Sequence, residues 1–443
     1  MHTAEEAIEW IHSLLPFGMK PGLKRMEWML EALGNPEKQI DYIHIGGTNG
    51  KGSTVSYMRN VLEAGGYKIG TFTSPYIELF QERISVNGQP ISDEDLLDGC
   101  VRIRPLVEEL QKSELGSPTE FEVITALAFD YFANKVKPDL VLLEVGLGGR
   151  MDSTNVIQPL LSIITSIGHD HMHILGDTLG EIAYEKAGII KEKVPVVTAV
   201  EQDEAWEVID RIAAERGATV YRYNRDFMTS NLLVTEDEQS FTTKTPFRAH
   251  FDYRLQMKGP HQISNAALAI MGLDILCAYY SFQLDEQAFK QGLWNTTWIG
   301  RFETVSHAPL TIVDGAHNAE GWEALAKTLE LHYPSYTYRF VVACTKEKDM
   351  EKLLAPFQQW DARFTFTSFE FFRAEQAKVL YEQAPVKNKH IEEDWKKAIR
   401  QEQQAHQEGE MLIVSGSLYF IALVRRYLLS EQSNQTTSAV ALD

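Results

Sequence analysis

The sequence predicts an α/β protein with two doubly wound domains, and three observations carry that prediction. Apolar runs such as IDYIHI and DLVLLE end in glycine turns and pass into helical stretches, the pattern of buried parallel strands with crossover helices. One such turn, between residues 46 and 54, carries four glycines and a lysine at the start of a helix. The alternation then restarts near residue 300 with LTIVDGAHN. The fold class is therefore a P-loop NTPase-like doubly wound N-terminal domain over residues 1–297. A smaller Rossmann-like α/β C-terminal domain follows over residues 298–430, and a polar, disordered tail over 431–443.

At 443 residues the chain exceeds one ordinary core and suits two domains. No apolar run approaches the about 20 residues that span a bilayer, and the acidic amphipathic start, MHTAEEAIEWIHSLL, lacks the basic leader of a signal peptide. A cytoplasmic address is expected. Three widely spaced cysteines, Cys100, Cys277 and Cys344, argue against a disulfide framework or a cysteine metal site. A net charge of −20 argues against nucleic-acid or anionic-membrane partners, so anionic substrates need local basic pockets.

Residues 1–39 read as two helices joined by LPFGMKPGLKRM, where Lys20, Lys24 and Arg25 make either an anion contact or a solvated connector. The strand Ile40 to Ile45 leads into Gly46, Gly47, Gly50 and Gly52, whose N–H groups can crowd round an anion. Lys51 adds positive charge, and a helix from Ser53 onward supplies a positive helix end. Gly52 intrudes between Lys51 and Ser53, so the loop is a variant of the standard spelling; a ligand-free turn needs neither Lys51 nor so many glycines. Next, Tyr67 to Thr73 reads as a strand broken by Ser74-Pro75. Ser74 reaches a metal if this strand neighbours the P-loop strand, and is otherwise a plain turn.

Residues 92–113 form a charged helix, and the next helix opens with Thr119 as cap and Glu122 three residues on. The strand Leu140 to Leu143 ends in Glu144, the expected place for a magnesium-organising acid, with Arg150, Asp152 and Asn155 beyond it. LLSIITSI ends in His169, Asp170, His171 and His173, four polar groups leaving one strand end, of which Asp170 and His171 are best placed for a site. Lys186 falls in an apolar helix, where an amine is costly unless paired or chemically neutralised. After a strand at 194–200 and a helix at 203–216, residues 219–258 read as strands with turns. GPHQISNAALAIMGLDIL is a helix with Gln262 and Asn265 near its start.

The second βα series carries Asp314 and His317 but no P-loop, so it completes the first domain's site across a cleft. Together with Lys51, Glu144, His171 and Ser74 this describes an ATP-using enzyme, with Mg²⁺ implied by the phosphates.

Here the chain resembles the folylpolyglutamate synthase and dihydrofolate synthase family, relatives of the Mur peptide ligases, over nearly its whole length. The resemblance rests on GLKRM, HIGGTNGKGST, TSPYIELFQERI, TEFEVITALAF, LEVGLGGRMDSTN, the DH of SIGHDH, ILGDTLGEIAYEKAGIIK, GPHQISNAALA, WIGRFE, DGAHN and SGSLY. It implies that ATP phosphorylates a folate or dihydropteroate carboxylate and that the amine of L-glutamate displaces the phosphate. It also implies ATP contacts from Gly47, Thr48, Asn49, Gly50, Lys51, Gly52 and Ser53, joined by Asn265, Arg301 and Asp314. Ser74, Glu144, His171 and a carbamylated Lys186 would bind Mg²⁺; Lys51, Lys186 and His317 would serve the chemistry; Thr119, Glu120, Phe121 and Glu122 match the pterin-binding stretch. The family is usually monomeric. The chain departs from the family's usual pattern at Glu120, where an aromatic is common, at His169 and at CTKEKD.

Overall fold

The structure, a computed structural model, describes residues 1–14 and 22–440. Lys20, in the predicted basic loop, lies outside the described residues. The chain divides into two compact units. The first comprises Met1–Leu232, Ser240–Leu255 and Gln262–Thr296; the second comprises Leu233–Gln239, Gln256–His261 and Thr297–Asp443.

The first unit holds an eight-stranded sheet. Its strands are β1 (Tyr42–Gly46), β2 (Ile69–Phe72), β3 (Ile84–Val86), β4 (Gln89–Pro90), β5 (Leu140–Glu144), β6 (Leu161–Ile164), β7 (Val196–Thr198) and β8 (Val220–Arg222). They lie in the order β4-β3-β2-β5-β1-β6-β7-β8, parallel from β2 to β8, with β3 and β4 antiparallel at one edge. Every residue of β1 and β5 is buried, because helices cover both faces, which is why these strands read as unbroken apolar runs. The P-loop strand β1 sits between β5 and β6, so the loops after all three meet at one place on the carboxyl edge.

The condition under which Ser74 would reach a metal from a strand beside the P-loop strand is not met. β2, which leads to Ser74, pairs with β5 and not with the P-loop strand. The P-loop helix also begins earlier than Ser53, at Lys51, because Gly50 takes a positive φ of 89° and turns the chain directly into it.

A three-stranded sheet of β9 (Met228–Val234), β10 (Gln239–Lys244) and β11 (Ala249–Leu255) follows, in the order β11-β10-β9. The helix Pro260–Tyr279 is long and apolar enough to cross a membrane, contrary to the expectation that no stretch approaches that length. Its apolar window is 78% buried, and a Cβ added at its Gly272 would touch Met58, Leu161 and Ile163, so its apolar surface is covered by core side chains.

The second unit carries a six-stranded sheet of β12 (Glu303–His307), β13 (Leu310–Val313), β14 (Thr337–Val342), β15 (Ala362–Ser368), β16 (Asn388–Asp394) and β17 (Glu410–Ser415). The order is β12-β13-β17-β14-β15-β16, with β12 antiparallel and the rest parallel. Phe340, Phe364, Phe357 and Trp322 fill its core, the first two stacked at 4.5 Å. The last helix runs Leu418–Val440, so the backbone is helical where the sequence expects a disordered tail from residue 431. No proline or glycine interrupts that stretch, and its apolar first half anchors a helix that its polar second half continues.

Candidate active site

The loop after β1 is held by the loop after β6. Thr48 N donates to Ser166 O at 2.8 Å and Asn49 N to Ser166 Oγ at 3.0 Å; the Thr165 hydroxyl donates to Asn49 O at 2.6 Å. Two glycines permit the close approach. A Cβ at Gly47, where φ is +138°, would lie 2.0 Å from Thr165 Oγ1, and one at Gly50 would lie 2.3 Å from Asn265 Oδ1.

Two amines converge on this loop. Lys51 Nζ donates to Gly47 O at 3.2 Å and Thr48 O at 3.1 Å, while Lys186 Nζ, from the helix Leu179–Ala187, donates to the same Gly47 O at 3.0 Å. The buried carboxylate of Glu144, at the end of β5, stands 4.0 Å from Lys51 and accepts from Ser74 N at 3.3 Å. Ser74 thus reaches the site through Glu144 and not from a strand beside β1. Burial, and after it the Lys51 charge, pushes the Lys186 amine down to about 7; Asp170 and Asp152 oppose that shift. The awkward buried cation of the sequence is therefore an amine that sheds its proton readily.

Near the start of the helix Pro260–Tyr279, Gln262 Nε2 donates to Ser53 Oγ at 3.4 Å and Asn265 Nδ2 to Gln262 Oε1 at 3.1 Å. His171 caps a four-residue helix with φ +51°, half exposed, its Nε2 3.7 Å from Asp170. Among the described residues no three His, Cys, Asp or Glu side chains form a ready metal cage. The predicted set contains only two residues of those types, Glu144 and His171.

Thr119 and Glu122 form a reciprocal capping box at the helix Glu120–Asp130, as the sequence predicts. Both acids there are engaged: Glu122 takes the Arg25 guanidinium at 3.0 and 3.1 Å, and Glu120 stands 3.4 Å from Arg83 and 3.6 Å from His12. Phe121 packs against Phe72 and lies where a Cβ on Gly146, two residues beyond Glu144, would fall.

In the second unit, Asp314 follows β13 and accepts from Phe302 N at 2.8 Å and Ala316 N at 2.9 Å. Burial raises its carboxyl, and Arg301 opposes that. His317 Nδ1 donates to Gly315 O at 2.8 Å.

Comparison with known proteins gives this geometry its family. Residues 45–273 match the Mur ligase middle domain, and 300–418 match the Mur ligase glutamate ligase domain. The dihydrofolate synthase/folylpolyglutamate synthase of Bacillus subtilis is 45% identical over 430 residues, covering 97% of this chain and 100% of that protein. The chain belongs to the folylpolyglutamate synthase/dihydrofolate synthase family. The ligase also matches the crystal structure of Thermotoga maritima folylpolyglutamate synthase, with TM-score 0.83 and 36% identity over 96% of each chain. It further matches Mycobacterium tuberculosis folylpolyglutamate synthase complexed with ADP and AMPPCP, with TM-score 0.87 and 29% identity over 96% of this chain and 99% of that one.

Sequence reasoning passed over two residues that shape the ligase's loop, Thr165 and Ser166. Their only signal is a pair of hydroxyl residues closing the strand after a buried run, which also ends many ordinary strands.

Proposed function

We propose that this ligase uses ATP to phosphorylate the free carboxylate of a folate, that the amine of L-glutamate then displaces phosphate to form an amide, and that dihydropteroate is a second acceptor. The observation that carries the reading is the meeting of Lys51 and Lys186 on Gly47 O beside the buried carboxylate of Glu144. A carboxylate resists amines; an acyl phosphate has a leaving group whose charge cations stabilise.

In this reading Gly47 to Ser53 hold the phosphates with backbone N–H groups at a helix N-terminus, and Lys51 shifts from loop carbonyls to phosphate oxygen. Mg²⁺, when bound, neutralises phosphate charge, and it asks the protein for few ligands. The buried Glu144 and the adjacent Ser74 fit that demand, with His171 and a carbamylated Lys186 completing the set. Carbamylation needs a neutral amine, which the lowered Lys186 supplies. Asn265, Arg301 and Asp314 bind the nucleotide, His317 lies near the transferring phosphate, and Thr119 to Glu122 border the acceptor. Residues 1–297 act as the ATP-binding domain and 298–430 as the ligase domain.

Free thiols at Cys100, Cys277 and Cys344 support a cytoplasmic address, and the −20 charge supports small-molecule partners only; we assign a monomer. A non-catalytic ATP-binding regulator is disfavoured because Lys51, Glu144, His171 and Lys186 are all present.

The test is phosphate release with Mg·ATP and L-glutamate, comparing dihydropteroate with a reduced folate monoglutamate. Release with both supports the two-acceptor reading. Release with the folate alone removes dihydropteroate from it, and silence with both overturns it.

A further inference from the structure

The segment Arg150 to Asn155 is absorbed by none of the roles above, yet it joins the loop that follows Glu144 at the end of β5 to the end of the helix that carries Lys186. On the Glu144 side, Asp152 Oδ2 accepts from Leu147 N at 2.8 Å, three residues beyond the acid. On the Lys186 side, Arg150 N donates to Glu185 O at 2.7 Å, and the Arg150 guanidinium donates to the Glu185 carboxylate at 2.8 Å. Asn155 Nδ2 clamps both, donating to Arg150 O and Gly188 O at 3.1 Å each. The backbones touch through two glycines. A Cβ on Gly188 would lie 2.3 Å from Arg150 Cβ, and one on Gly149 would lie 2.9 Å from Lys186 O.

A third tie reaches the P-loop strand. The Thr154 hydroxyl donates to Asp152 Oδ1 at 2.5 Å, and its oxygen lies 2.8 Å from Nε2 of the fully buried His44 on β1. A hydroxyl has one proton, so having given it to Asp152 it accepts from His44, which fixes that ring with its proton on Nε2.

We propose that Asp152, Thr154 and Asn155 are positioning residues that set the separation of Glu144 and Lys186 and lock both to the P-loop strand through His44. This rests on the reading of Glu144 and Lys186 as Mg²⁺-phosphate groups, but the tie itself does not. Outer partners of metal-binding groups typically cost about 10- to 100-fold in metal affinity or activity when removed.

The experiment is calorimetric titration of ADP into the purified protein over a range of Mg²⁺, which needs no acceptor and so separates this proposal from the identity of the substrate. Asn155→Ala should raise the Mg²⁺ concentration for half-maximal tightening by about tenfold or more, while ADP affinity without Mg²⁺ stays within about twofold. Ile209→Val, a core truncation in the helix Asp203–Glu215, supplies a destabilised control whose Mg²⁺ dependence should stay as in the parent. If Asn155→Ala does not fold, Thr154→Val and Thr154→Ser take its place: the valine should reproduce the loss and the serine, which keeps the hydroxyl, should restore the parent value. An unchanged Mg²⁺ dependence in folded Asn155→Ala or Thr154→Val overturns the proposal. So does a histidine ¹⁵N spectrum showing the His44 proton on Nδ1.

Discussion

The carboxyl edges of the two sheets make an instructive pair. Both units present a loop between a buried parallel strand and a helix, GGTNG after β1 and DGAHN after β13, and the backbone geometry of a doubly wound sheet opens a site at each. The chemistry is opposite. After β1 the loop bears glycines and attracts two amines; after β13 the first residue is Asp314, whose carboxylate takes the N–H groups of Phe302 and Ala316. Of those two N–H groups only Ala316 N belongs to the loop itself, while Gly315 N donates to Gly300 O at 2.8 Å, so this strand end sets a hydrogen-bonded carboxylate where the first sets two amines. Topology opens both sites, and strand-end residues choose which ion each will take.

The sharpest way to break the comparison is to remove the amine that makes the first loop cationic. Lys51→Ala should lower ATP turnover by about 1000-fold, since a lost charge in a transition-state cradle costs on that order. Phosphate release decides it, and parent-like turnover would end the P-loop assignment. Lys186→Ala should follow at about 100-fold, with partial recovery on adding short carboxylic acids if an anionic carbamate is what the site lacks. The parent enzyme sharpens this further. Because the folded amine titrates near 7, its neutral fraction grows as pH rises through that value, so activation by bicarbonate should be weak at the acid side and strong at the alkaline side. Activation that weakens with rising pH would contradict carbamylation.

Much of the first edge is legible in the sequence because its chemistry is contiguous. HIGGTNGKGST places strand, turn, cation and helix in one run, and LVLLE places Glu144 on a strand end without reference to any partner. Strand order is not written locally, so the sequence leaves open whether β2 lies beside β1, and the fold inserts β5 between them. The second unit is less legible at its far edge. NKHIEED forms β16 with a polar, mostly half-exposed or exposed pattern, so it has no apolar alternation to announce it, and the helices Ala377–Gln383 and Trp395–Gln404 beside it are missed with it. The Asn155 clamp is invisible for another reason: its two partners, Arg150 O and Gly188 O, are backbone atoms, and any sequence supplies those.

A gentler test acts on the second edge. Asp314→Asn keeps the shape but offers an amide where one of two N–H donors needs an oxygen, so nucleotide KM should rise about tenfold with kcat less affected. Burial raises the Asp314 carboxyl, so the parent should lose nucleotide affinity at a higher pH than an ordinary aspartate would dictate as the solution is acidified. The asparagine variant should lose that acid limb while keeping the rest of the profile, and an identical limb in both would assign it to another group.

The smallest expected effect concerns a residue at neither loop. Glu120 answers Arg83, whose guanidinium also lies 5.2 Å from the Tyr76 ring and 5.4 Å from the Phe80 ring, and His12, whose imidazole meets Phe80 edge-on. Glu120→Phe removes the counter-charge but brings an aromatic to an aromatic neighbourhood, so Arg83 keeps its ring contacts and the loss of stability stays near about 1 kcal/mol. The consequence should fall on the acceptor: KM for dihydropteroate and for the reduced folate should move by about two- to fivefold and by different factors, with ATP KM unchanged, as expected of a group that borders one substrate and not the other. Steady-state kinetics with each acceptor measures it. Equal shifts in all three constants would make Glu120 a purely structural counter-ion, and would leave the choice of acceptor to Phe121, which already lies against Gly146 in the loop that follows Glu144.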